Sequence, residues 1–280
     1  MKLGYFGIGS GPCADPESAV RVARAAESAG FESVWTGEHV VLPDPQAPPS
    51  PAPPHFPMLD PAVALAFLAG QTRTLRLATG IVILPQRNPL VLAKELASVD
   101  VLSGGRLIFG LGAGYLEAEF DALGVPFDDR GPRTSEAIEV LRTLWTEDSP
   151  RFEGRFWSFS GIRAMPRPVQ RPHPPILVGG HSKPAFRRAV AQGDGWYGFA
   201  LDVDAARGCL QGLAQAAEGV TRAPERTRLE VTITPGVGLD RDVVKRYEDL
   251  GVDRLVPIAR GRSVDELIEF VSRTADSVVR

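Results

Sequence analysis

LRLATGIVILPQRNPLVLAKELASVDVLSGGRLIFGLGAGY, residues 75–115, is the stretch whose reading decides the fold. It reads as strand, helix, strand. Residues 75–85 are rich in β-branched and aliphatic side chains and carry no charge after Arg76. That is the composition of a strand covered on both faces. Residues 88–102 place Leu92, Leu96, Val99 and Leu102 three and four apart, a helical stripe, and Gly104-Gly105 ends it. RLIFGLG then reads as a second buried strand, with glycines at alternate positions, Gly110, Gly112 and Gly114. Two such strands joined through a helix form a parallel βαβ unit. That unit needs either helices on both faces of an open sheet or a closed barrel.

The alternation continues outward in both directions. Residues 2–8 read as a strand, and Asp15-Pro16-Glu17 as a helix start, with proline first and an acid in the first turn. Residues 31–36 are the next strand and deliver Gly37-Glu38-His39. Residues 43–58 crowd prolines, which excludes helix and central strand. A loop of this kind inside a compact domain is more often functional than idle. Asp60-Pro61 opens a helix to about Thr72. Past Tyr115, residues 117–123 form a short helical piece and 134–145 an amphipathic helix, while 151–168 read as an inserted hairpin turning at Gly154. Strands at 176–178, 195–200, 229–234 and 254–258 alternate with helices at 184–191, 203–218, 243–250 and 264–278.

Eight strand–helix units in 280 residues predict one α/β domain over 1–280. Its fold is a (β/α)8 TIM barrel with the inserted hairpin segment, the insertions falling at about 43–58 and 151–168. The open dinucleotide-binding sheet is the competing architecture. Its GxGxxG signature fails, because Gly110 and Gly112 require a glycine where Tyr115 stands.

Lysines and arginines number 31 against 34 acids, for a net charge of −3, and no basic block stands out. Neither nucleic acid nor an anionic membrane is expected as a partner. Cys13 and Cys209 supply no CxxC. A disulfide framework or zinc site has no support, and a cytoplasmic protein is expected. The opening MKLGYFGIG enters a strand without an apolar leader, so no secretory signal is expected. No apolar run approaches the roughly 20 residues of a membrane helix.

A barrel carries its active site at the C-terminal ends of its strands. Those ends hold Gly37-Glu38-His39, Gly80-Ile81, Gly112-Ala113-Gly114 and Gly179-Gly180-His181-Ser182. Glycine admits a ligand close to backbone N–H groups, and a helix N-terminus favours an anion. The two glycine-rich ends after strands four and five therefore suit a phosphate. A glycine can equally serve only to turn the chain. His39 suits proton transfer near neutrality, beside Glu38, and its other reading is a hydrogen-bonded loop histidine. His55 and His173, flanked by prolines, read as loop surface. No HExxH or other ligand spacing supports a metal, and no GxSxG supports a hydrolase nucleophile. The aromatic residues of 151–168 read as a small core of the insertion itself.

VWTGEHVVLP (34–43), residues 77–115, LGVPFDDRGPRTSEAI (123–138), PRPVQRPHPPILVGGHS (166–182) and GDGWYGF (193–199) together resemble the luciferase-like monooxygenase family. They are most similar to its branch using the deazaflavin coenzyme F420. The likeness is close over about residues 1–200 and looser beyond. It implies the (β/α)8 barrel, a homodimer, and a flavin or deazaflavin across the C-terminal mouth. It also implies a non-proline cis peptide matching Gly80-Ile81 behind the ring, with Ile83 beside it. Phosphate contacts would fall at Gly112, Ala113, Gly114, Gly179, Gly180, His181 and Ser182. The acid–histidine pair matches Glu38-His39. Many deazaflavin relatives carry Asp where Glu38 stands, and some carry an acid where Tyr115 stands. A sugar-phosphate substrate is therefore not implied.

The leading expectation is an F420-dependent oxidoreductase passing a hydride between the deazaflavin and a small organic substrate. His39 would move the accompanying proton, Glu38 would hold it or contact the ring, and residues 43–57 would cover the substrate. The alternative is an FMN-dependent monooxygenase that uses O2 and a separate flavin reductase. A remoter reading is a non-catalytic barrel that binds a ligand.

Overall fold

Strand Lys2–Phe6 (β1) pairs in parallel with Ser33–Thr36 (β2) on one side and Arg254–Leu255 (β8) on the other. The pairing passes from β2 to Arg76–Thr79 (β3), Leu107–Gly112 (β4), Ile176–Gly179 (β5), Gly195–Leu201 (β6), Glu230–Pro235 (β7) and back to β8. The computed structural model, which describes residues 1–222 and 228–278, is thus a closed eight-stranded parallel barrel. Helices follow the strands in turn: Pro16–Ser28 (α1), Pro61–Ala69 (α2), Pro89–Ser103 (α3), Glu117–Ala122 (α4) with Arg130–Thr146 (α5), Lys183–Gln192 (α6), Val203–Ala217 (α7), Arg241–Asp249 (α8) and Val264–Val278 (α9). Local sequence sets their ends. Asp15 caps α1 through Ser18 N–H, Asn88 caps α3 through Leu90 and Val91 N–H, and Gly104 closes α3 at φ +69°.

The quoted stretch departs from a plain strand in one respect. Leu77 and Ala78 face Leu107 and Ile108, whereas Val82 and Ile83 face Leu111 and Gly112. Thr79, Gly80 and Ile81 therefore oppose only Phe109 and Gly110, which is a β-bulge. The Gly80–Ile81 peptide is cis. Bulging strips Gly110 of ladder partners. Thr79 Oγ replaces both, accepting from Gly110 N–H at 2.8 Å and donating to its carbonyl at 2.6 Å. A β-carbon on Gly110 would stand 2.0 Å from Thr79 O, so only glycine fits.

Apolar burial lies in two shells. The outer shell packs helices on the barrel, with Leu65, Leu92, Leu96, Leu141 and Trp145 among its members. The inner one fills the barrel with Trp35, Ala78, Ile108, Leu177, Tyr197 and Val256. At the floor, fully buried Arg254 pairs with Glu32 at 2.9 Å and with Glu230. The bottom is closed and the C-terminal mouth stays open.

Three readings shift. Helix α5 begins at Arg130 rather than at 134, because Pro132 sits in the first turn, where proline lacks no needed bond. The hairpin forms between Phe152–Glu153 and Ser158–Phe159, and its aromatics do pack together, Phe152 stacking on Phe159 at 6.0 Å, but Phe152, Trp157 and Phe159 also pack on the main core. His173 is not surface loop: its side chain is 7% exposed and bonds Pro174 O through Nδ1 at 2.9 Å. Among the described residues, no helix is long and apolar enough to cross a membrane.

Candidate active site

All the strand-end residues singled out above line one cavity of about 1060 Å³ at the C-terminal mouth. Its floor is the bulge. The Ile81 side chain points between the ends of β4 and β5, where glycines leave it room. A β-carbon on Gly112 would lie 2.8 Å from Ile81 Cδ1, and one on Gly179 would lie 3.0 Å from its Cγ2. These two glycines are explained first by Ile81, before any ligand is considered.

Glu38 and His39 share the cavity edge but not a bond. The Glu38 carboxylate is 5% exposed and faces β3. It accepts from Ile83 N–H at 2.6 Å and from Arg87 Nε at 3.0 Å, and Arg87 reaches on to Asp60 Oδ2 at 2.6 Å. The expectation that Glu38 would hold His39 gives way to this geometry: Glu38 anchors the bulge. Burial pushes its carboxyl pKa up, and Arg87 works against that. Burial also opposes the Arg87 charge, but Glu38 outweighs it and keeps the guanidinium protonated.

His39 is held instead by Glu119 on α4, with Nδ1 at 3.1 Å from Oε2. Glu119 is buried, and its other oxygen accepts from Val40 N–H at 2.5 Å. Burial alone would raise the Glu119 pKa. The bonds from His39 and Val40 outweigh it and hold the carboxyl below its usual range. His39 Nε2 lies 3.5 Å from the Tyr115 hydroxyl. Nothing in the sequence singled out Glu119, which stands 80 positions from His39. The available signal was an acid beside Phe120 on the inward face of a short helix directly after a strand end.

The glycine-rich residues 179–182 line the same cavity. Ser182 caps α6 through Ala185 N–H, and His181 Nε2 accepts from Phe199 N–H at 3.0 Å. Burial depresses the His181 pKa, favouring the neutral ring that this bond requires. Gly180 adopts φ +123°. Arg130 and Arg188 line it too. The lining also includes an apolar group, Phe6, Phe56, Met58 and Ile258, which Phe199 joins to the His181 loop. The proline loop is pinned there by Gly11 N–H to Pro57 O and Leu59 N–H to Gly9 O, each 2.9 Å. An open main-chain floor, a glycine-rich lining with two guanidinium groups and an apolar group fit a tricyclic ring bearing a phosphate. Among the described residues, no group of three or more metal-ligating side chains occurs.

The model of the luciferase-like monooxygenase family matches residues 4–257. An uncharacterized protein of Mycobacterium tuberculosis (strain ATCC 25618 / H37Rv) is 33% identical over 264 residues, 90% of this chain and 91% of the relative. The oxygenase component of the flavin-dependent trigonelline monooxygenase of Acinetobacter baylyi is 31% identical over 179 residues, 63% of this chain and 46% of that protein. A solved F420-dependent secondary alcohol dehydrogenase, in complex with an F420–acetone adduct, superposes with TM-score 0.80 at 17% identity, covering 99% of this chain and 98% of that one.

Proposed function

The chain belongs to the luciferase-like monooxygenase family, and from that premise we propose an oxidoreductase that uses the deazaflavin coenzyme F420 on a small organic substrate. The observation that carries this reading is His39, fixed by a buried carboxylate at the edge of the bulge floor. Hydride exchange at an alcohol or carbonyl carbon also requires a proton to move, and a positioned imidazole is suited to that task. The bound deazaflavin would supply the hydride chemistry. Residues of the chain do the rest. Gly80 and Ile81 support the ring, and Ile83 continues that edge. Residues 112–114 and 179–182, with the N-terminus of α6, receive the phosphate. The apolar lining holds the substrate and keeps water away.

The second reading, FMN with O2 and a partner reductase, is favoured by the flavin-dependent relative from Acinetobacter baylyi. Titration of the purified protein with each cofactor, followed by ring fluorescence, separates the two. The deazaflavin should bind at least about tenfold more tightly, a difference of roughly 1.4 kcal/mol. A preference for FMN would replace the first reading with the second, and binding of neither would leave a non-catalytic barrel.

A further inference from the structure

Glu119 Oε1 receives Val40 N–H at 2.5 Å and Val41 N–H at 3.4 Å, while Oε2 meets His39 Nδ1 at 3.1 Å. An ionised carboxylate only accepts hydrogen bonds. The Nδ1 contact therefore needs a proton on Nδ1. A neutral imidazole carries one N–H, so its Nε2 keeps a lone pair. Nε2 is the atom facing Tyr115, whose ring meets the imidazole edge-on at 5.9 Å and lines the cavity.

We propose that Glu119 is the positioning residue of this site: it locks His39 in the Nδ1–H tautomer, so that the cavity is met by a proton acceptor, Nε2. The assignment deepens the acid–base role given to His39 above and rests on it for its consequence. When a substrate hydroxyl is deprotonated, its O–H bond breaks, the electron pair stays on oxygen, and an Nε2–H bond forms. The resulting imidazolium lies against the Glu119 carboxylate, which balances its charge at once. The Tyr115 hydroxyl stands 3.5 Å from Nε2, longer than an ordinary O–H donor bond, which leaves the lone pair open to a substrate proton. A purely structural Glu119 would do no more than tie down the turn at Val40 and Val41.

The two roles separate in the variant Glu119→Gln. The amide oxygen can still accept from Val40 N–H, but its NH2 end then faces His39. That geometry makes Nδ1 the acceptor and moves the ring proton to Nε2. A carboxylate-to-amide exchange beside a catalytic histidine acts through the wrong tautomer in the serine-protease triad by the same logic.

The experiment is long-range proton–nitrogen NMR on the full chain with nitrogen-labelled histidine, above the imidazole titration range. A His39→Asn spectrum identifies the resonances. Wild-type His39 should show protonated Nδ1 and bare Nε2, and Glu119→Gln should show the reverse. Protonated Nε2 in the wild type, or an unchanged tautomer in the variant, overturns the proposal. Should the variant not fold, the wild-type tautomer alone decides. The cofactor titration above is independent of this measurement. Failure of cofactor binding with the expected tautomer removes the functional reading and leaves the action of Glu119 on His39 intact.

Discussion

Ile81 occupies the space that a side chain on Gly112 would need, with its Cδ1 only 2.8 Å from the place of the absent β-carbon. One strand's bulge and its neighbour's lack of a side chain are therefore a single packing solution. Gly112→Ala should turn the tip of Ile81 off its present rotamer, at a cost of about 0.5–1.5 kcal/mol. In an Ile81→Ala background the same change should cost far less. A double-mutant cycle on chemical denaturation reads the coupling, and additive effects would dismiss the packing account.

The Glu38–Arg87–Asp60 chain yields a second expectation. Arg87→Ala leaves the buried Glu38 carboxylate unpaired except for Ile83 N–H, a loss typically worth about 3–5 kcal/mol. Glu38 already has a raised pKa through burial, and removing Arg87 raises it further. An acid whose folded pKa exceeds its unfolded value loses stability as pH rises, so the deficit should shrink on acidification. A deficit in unfolding free energy that stays constant from neutral to mildly acid pH would contradict this.

Acid sensitivity should come instead from Glu27. Burial opposes its ionisation, but the N–H groups of Thr74, Arg73 and Leu75 and the Thr74 hydroxyl win, lowering its pKa from 4.5 to about 2. Its folded pKa is depressed. The stability it gives is therefore full above pH 4.5 and is lost as pH falls toward 2. Glu27→Gln should weaken the protein near neutrality and flatten its melting temperature against pH across that window. A parallel offset between the two pH curves would count against Glu27 as the source.

Much of this architecture was readable from residue order. Periodicity in residues 75–115 marked the βαβ unit, and strand-end position gathered Glu38, His39 and the glycine-rich ends into one cavity. What stayed hidden depends on pairing across the barrel. Glu119 meets His39, and Arg87 meets Glu38, only once the strands close. No local pattern encodes a contact between residues 49 or 80 positions apart. The role of Gly112 was hidden for a related reason, since its neighbour Ile81 lies on another strand.

We propose a homodimer formed through α2, which is apolar around its circumference and packs on α3. Val63 and Phe67, one turn apart, stay 66% and 43% exposed, an unusual arrangement for a solitary helix face. Light scattering at micromolar concentration should give twice the chain mass, and Phe67→Lys should reduce it to one. A monomeric wild type refutes the proposal.

The last expectation concerns His39 itself. Its ring is held at Nδ1 by Glu119 and lines the cavity beside the floor. Positioned acid–base groups contribute about 10²–10⁴-fold to rate. In deazaflavin-dependent turnover of whichever alcohol or carbonyl compound the wild type accepts, His39→Ala should lose activity within that range. Cofactor affinity should change much less, because the floor and the glycine-rich loops proposed to receive the phosphate are untouched. His39→Asn keeps a hydrogen-bonding side chain that does not titrate, so it should remain as slow as alanine if the role is proton transfer. Recovery of most activity in the asparagine variant would assign His39 to orientation of ring or substrate. A near-neutral alanine variant would return it to the standing of a hydrogen-bonded loop residue.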